Sequence, residues 1–178
     1  MYYKIGLNYA PLLLVVDPLN CGFVVERSYF GVDDPKHVSK DQNGVWNFKV
    51  GERVLVKINF VTVTRRYHVA MVDKLPAGLE IINPELIGQS SSSNNSSSNT
   101  SPYGFRSFYN PFLWYEHKNL RDERAEAFQS LLWEGKYSFE YTARATTKGS
   151  FVVPPTHVEE MYSPEIFGRS SSDKVVIS

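Results

Sequence analysis

The stretch "KYSFEYTARAT" (Lys136–Thr146) decides how the chain is read. Tyr137, Phe139, Tyr141, Ala143 and Ala145 alternate with Lys136, Ser138, Glu140, Thr142, Arg144 and Thr146. A period of two puts the first set on one face of an extended chain, so the segment is a half-buried β-strand. "RVLVKINFVTV" (Arg53–Val63) repeats the pattern, with Val54, Val56, Ile58 and Phe60 on one face and Lys57 and Asn59 opposite. "GFVVERSYF" (Gly22–Phe30) and "RRYHVAMVD" (Arg65–Asp73) are β-rich, and Asn43-Gly44 in "DQNGVWNFKV" is a hairpin-type dipeptide before another strand. Turn residues at Gly51, Pro76–Gly78, Gly135 and Lys148-Gly149 separate the strands. Many short strands with tight turns and one polar face predict an all-β protein: an antiparallel β-sandwich, with room for one short helix.

Two segments depart from this pattern. "NLRDERAEAFQSLLWEG" (Asn119–Gly135) has a helical period, with Leu120, Ala127, Phe128, Leu131 and Leu132 on one face and Gly135 at the stop. On local grounds it is a helix. "GQSSSSNNSSSNTSPYG" (Gly88–Gly104) is low-complexity polar chain that cannot bury enough surface to fold, and is expected to be a disordered insertion. Its formal glycosylation sequons at Asn94, Asn95 and Asn99 matter only in a secretory pathway.

Composition bounds the function. A length of 178 residues allows one domain with a real core, and 42% apolar content with 14% aromatics marks a globular chain. Nineteen basic and nineteen acidic side chains cancel, so charge recommends neither nucleic acid nor an anionic membrane. The longest apolar run, "PLLLVV" (Pro11–Val16), is too short for a transmembrane segment and lacks the flanks of a signal peptide. Cys21 alone permits neither an internal disulfide nor a cysteine-rich zinc site.

Catalytic constellations are sparse. His37, His68, His117 and His157 have no metal-ligand spacing; His68 alternates within a strand and His37 follows Asp34-Pro35 in a turn. "DQNG" (Asp41–Gly44) resembles a piece of a calcium loop without its later glutamate, and reads better as a hairpin turn. Asp33-Asp34 and Glu159-Glu160 are neighbours on extended chain and point to opposite sides, which suits paired acid–base work poorly. There is no G-x-S-x-G elbow, P-loop or dinucleotide fingerprint. Residue by residue, this is a non-enzymatic sandwich with no cofactor and no metal site. Trp46, Trp114 and Trp133 leave open a carbohydrate-binding or adhesive module, since exposed rings could stack on sugars.

The order of segments adds a resemblance. "LNYAP" (Leu7–Pro11), "GFVVERSYFGVDD" (Gly22–Asp34), "RRYHVAMVDKLPAGLEIINPEL" (Arg65–Leu86), "HKNLRDERAEAF" (His117–Phe128) and "YTARATTKGSFVVPPTHVEEMYSPEIFGRSSSDKVVI" (Tyr141–Ile177) follow one another. Together they resemble the C-terminal macroglobulin-like domain of bacterial-type alpha-2-macroglobulins, large protease-trapping proteins. The resemblance implies a β-sandwich spanning residues 12–178, with residues 1–11 as the trailing strand of a missing preceding domain. It also favours a strand over Arg124–Gln129 against the local helical period.

The family implies a function in which this chain does no chemistry. Members trap proteases after cleavage of a bait region, many with a Cys–Gln thioester in a separate domain. Here Cys21 is followed by "GFVV" and not by the thioester's Cys-x-Glu-Gln, and no bait region is visible, so the chain is expected to be a fragment that does not inhibit alone. Its expected partners are other domains of such a polypeptide, above all the thioester domain, with target proteases engaged only indirectly. Family members are periplasmic, membrane-anchored or extracellular. The segment "E-E-M-Y-S-P-E" resembles the loop that covers the thioester, which makes Glu160, Met161, Tyr162 and Pro164 the candidate docking residues. A thioester survives only where water and amines are excluded, and flexible, apolar Met161 suits that task. The competing reading is that Met161 and Tyr162 plug the end of the sandwich.

Overall fold

Period-two alternation builds three sheets around one core. The computed structural model describes residues 14–83 and 113–178, together with residues 3 and 5–7. The proposed Ser/Asn insertion and most of the segment assigned to a preceding domain lie outside the described residues.

The central four-stranded sheet holds the two clearest sequence patterns side by side. β2 (Val24–Gly31), β5 (Arg53–Thr62), β10 (Gly135–Ala145) and β7 (Leu79–Ile81) run in the order β2-β5-β10-β7, all antiparallel. The register sets Tyr141 opposite Val56, Phe139 opposite Ile58 and Tyr29 opposite Val56, so like faces meet. Val54, Val56, Ile58, Phe60, Phe139 and Ala143 are almost completely buried, as the alternation requires. A larger sheet packs over them: β1 (Leu19–Cys21), β13 (Ser163–Arg169), β12 (His157–Glu160), β6 (Arg66–Lys74), β9 (Arg124–Leu132) and β8 (His117–Arg121), in that order. The third sheet is β11 (Gly149–Val153), β14 (Asp173–Ile177), β4 (Trp46–Phe48) and β3 (Val38–Lys40). Its β14–β4 pair is parallel, where the sequence predicts only antiparallel pairing. Side chains from all three sheets form one continuous core.

The ambiguous segment is two strands. β9 lies between β6 and β8 and is hydrogen-bonded on both sides, with Ala127 opposite both Met71 and Lys118. Its good helix formers give way because ladder pairing and burial of Ala125, Ala127 and Leu132 outweigh a propensity difference of a few tenths of a kcal/mol per residue. The only helical element among the described residues is a 3-10 turn, Pro35–His37. Asp34 caps it by accepting from the Lys36 amide, and proline suits the first position. "DQNG" is a turn, as its composition predicts: the Asp41 carboxylate accepts from the Asn43 and Val45 amides, and Gly44 takes a φ of 80°. Gly168 marks a close approach, because a Cβ there would lie 2.1 Å from the Phe23 carbonyl oxygen.

An ion cluster fills the junction of the three sheets. Arg27 of β2 donates to Asp73 of β6 at 2.7 Å, to Asp173 of β14 at 2.9 Å and to the Pro154 carbonyl at 2.9 Å. Tyr141 of β10 and Thr156 each donate to Asp73 at 2.6 Å. The Arg27 and Asp73 side chains are each 1% exposed. Burial opposes the guanidinium's charge, but the adjacent Asp73 and Asp173 carboxylates prevail and raise its pKa. Burial, then the Asp73 carboxylate, raise the Tyr141 phenol well above its usual value, so it stays protonated and keeps donating.

Two predictions follow from these buried charges. Arg27→Ala strands two carboxylates in the interior and should cost roughly 3–5 kcal/mol, read as a lowered urea midpoint; a loss under about 1 kcal/mol would show that the sheets cohere without it. Glu52 is buried, receives the Asp33 and Asp34 amides at 2.8 and 3.2 Å and meets His37 Nδ1 at 2.7 Å. Burial works to raise its pKa, yet these hydrogen bonds hold it below the ordinary 4.5. A depressed carboxylate contributes stability above its unfolded pKa and loses it as pH falls through the folded one. Stability should therefore decline below about pH 4.5, and Glu52→Gln should flatten that decline in melts taken across the range.

Candidate docking tip

The candidate residues gather at one hairpin end. β12 and β13 pair from His157–Arg169 to Glu159–Phe167, then slip so that Glu160 faces Ser163. Met161 and Tyr162 are left as a two-residue tip between them. Pro164 falls where the register slips, a place where a missing amide donor disrupts no ladder.

Burial changes sharply across the tip. Glu160 is 8% exposed, whereas Met161 is 42% and Tyr162 80% exposed. Glu160 continues the inward row of β12 after Val158, and its carboxylate accepts the Tyr67 amide at 3.1 Å with Arg66 Nη1 at 4.0 Å. Glu159 points the other way and meets His157 Nε2 at 2.9 Å, the opposed geometry expected of adjacent acids. Arg66 is itself fixed by Thr62 Oγ1 at 3.2 Å and by the Phe23 ring, 5.5 Å from its guanidinium carbon. The tip thus has an anchored base and a projecting head. Met161 and Tyr162 do not plug the sandwich.

His68 completes the arrangement, and its place differs from the sequence reading. It does not simply alternate within β6: its φ is 49°, a left-handed conformation rare for a residue with a Cβ. In this position its carbonyl accepts the Met161 amide at 2.9 Å and its ring meets Tyr162 edge-on, centroids 5.1 Å apart. Nothing in the local pattern around "RRYHVAMVD" signals this turn of backbone. His37 is structural through Glu52. Among the described residues no three His, Cys, Asp or Glu side chains form a metal-binding group, and no helix is long and apolar enough to cross a membrane. Trp46 and Trp114 are partly buried against the core, Trp114 donating to the Ser138 carbonyl at 2.9 Å, and Trp133 alone is well exposed.

Three sheets sharing one core, with the β12–β13 tip projecting from the largest, define a macroglobulin-like β-sandwich. Residues 22–165 match the family model of the bacterial alpha-2-macroglobulin MG10 domain, and the chain belongs to that family. It is 32% identical over its whole length to "Circularly permutated Ras protein 2" of Dictyostelium discoideum, covering 4% of that protein. It is 28% identical over 162 residues to the alpha-2-macroglobulin of Escherichia coli, covering 90% of this chain and 9% of the relative. The cryo-EM structure of native E. coli alpha-2-macroglobulin superposes with a TM-score of 0.66 at 27% identity, over 96% of this chain and 10% of that one. The chain therefore spans less than a tenth of the length of these two relatives.

Removing the anchor tests this description of the tip. Glu160→Ala leaves the Tyr67 amide without its carboxylate acceptor in a part-buried setting and should cost roughly 0.5–1.5 kcal/mol. Hydrogen exchange should accelerate at the Tyr67 and Met161 amides more than across β5 and β10. Unchanged exchange at both amides would show that Glu160 does not hold the tip.

Proposed function

We propose that this chain is a non-catalytic docking domain of an alpha-2-macroglobulin-like polypeptide, and that its tip packs over the thioester of a neighbouring domain. One observation carries the reading: the head of the tip is exposed while its base is built into the core, so apolar bulk is held out rigidly. A reactive acyl bond needs such a cover against water and amines. Met161 supplies adaptable apolar contact, and Tyr162, braced by His68, supplies a broad face with a polar edge. Family membership supports the neighbour's class. Inhibition would belong to the whole polypeptide, with the protease met by other domains and this one acting by closure. A periplasmic, membrane-anchored or extracellular setting accords with bacterial relatives.

Substitution at the head separates docking from folding. Because Met161 is substantially exposed, Met161→Ala should cost well under about 1 kcal/mol in the isolated domain. In a thioester-bearing parent the same change should speed inactivation by methylamine. A loss of roughly 2–5 kcal/mol, as for a core methionine, together with unaltered amine sensitivity, would refute the docking role.

A further inference from the structure

We infer that the docking surface extends beyond the tip to a second contact centred on Arg65, which takes a carboxylate set among apolar side chains on an adjoining domain of the same polypeptide. The inference rests on reading the chain as a docking domain, but not on the neighbour carrying a thioester. Tyr67 on β6 pairs with Leu131 on β9, and the same register sets Arg66 opposite Leu132. Strand alternation then puts Arg65, Tyr67, Leu131 and Trp133 on the outer face, and all four are exposed. Arg65 bridges the two strands there. Its guanidinium carbon lies 5.2 Å from the Tyr67 ring centroid and 5.5 Å from that of Trp133. Glu160 holds the Tyr67 amide, so this surface and the tip share one support.

Charge selects the occupant. Arg27, Arg53 and Arg124 each bind a carboxylate of this chain, and Arg66 stands at 4.0 Å from Glu160. Arg65 has aromatic partners and no ion pair among the described residues. Two rings brace the planar guanidinium of this exposed residue, which lowers the ordering cost of binding a carboxylate. Exposed Tyr67, Leu131 and Trp133 around a guanidinium have the composition of an interface centre, rich in aromatics and arginine. A surface presenting Asp or Glu among apolar side chains is complementary; a basic or wholly polar one is not. The relatives supply the source, since this domain makes up a tenth or less of their polypeptides and its neighbours are covalently held close.

Site-specific photo-cross-linking in the full-length parent tests this. With p-benzoylphenylalanine at position 131, irradiation should join this domain to another domain of the same polypeptide, at a segment bearing an Asp or Glu. Arg65→Glu should lower that yield about tenfold while the melting temperature of the domain is unchanged, and Arg65→Lys should keep part of it. No cross-link at 131, or cross-links only to a second copy or to a segment without acids, would overturn the inference, as would an Arg65→Glu yield equal to the original. A probe at position 162 reports the tip separately. Capture at 162 without capture at 131 sinks the second contact alone; capture at 131 with none at 162 upholds it and removes the thioester cover.

Discussion

A single buried guanidinium sets the relation of the three sheets. Arg27 reaches Asp73 on one sheet and Asp173 on another from its own place on a third, with Tyr141 and Thr156 completing the shell around Asp73. Hydrophobic contact alone lets sheets slide, because apolar attraction has no direction. Charged hydrogen bonds restrict that freedom to one arrangement, at a desolvation cost of several kcal/mol per ion. Two carboxylates facing one guanidinium leave excess negative charge, and the hydroxyls of Tyr141 and Thr156 donate into it. The strand that holds the base of the tip is referred to the same fixed point: β6 carries both Asp73 and the Tyr67 amide that Glu160 holds.

Much of this was legible in the residues. β5 and β10 follow from alternation, because a half-buried strand in a sandwich must alternate. The direction of Glu159 and Glu160 follows from the same rule. The ion cluster has a trace in the sequence: Arg27 falls in phase with Val25 and Tyr29, Asp73 with Val69 and Met71, and Asp173 with Val175 and Ile177. A charge on the inward phase of each of three strands is a signature of mutual pairing, since none could be buried alone. β9 was harder. Its helical period is real, and it is overruled by a hairpin partner, β8, together with β6, which is supplied by distant sequence.

The tip was legible only through resemblance. Nothing in "EEMYSPE" states that Met161 and Tyr162 project outward, because alternation stops at Glu160, where the register between β12 and β13 slips. The left-handed turn at His68 was hidden for a related reason. Backbone conformation there is set by contact with Met161 and Tyr162, residues far along the chain. Local patterns report local forces, and this end of the domain is shaped by non-local ones.

The position of Asp173 has a consequence for biosynthesis. Ribosomes deliver the chain in order, and Arg27, Asp73 and Tyr141 emerge well before the last carboxylate of their cluster. A nascent chain complete through β11 holds Arg27 against one carboxylate and lacks the strand that pairs with both β11 and β4. Its third sheet cannot close, and apolar residues such as Phe48 and Val153 have no partner in Val175 or Ile177. Long-range pairing of this kind makes folding slow and leaves unpaired edges exposed meanwhile. Synthesis of this domain thus has a late commitment point, at which β14 supplies the third sheet and the counter-charge together.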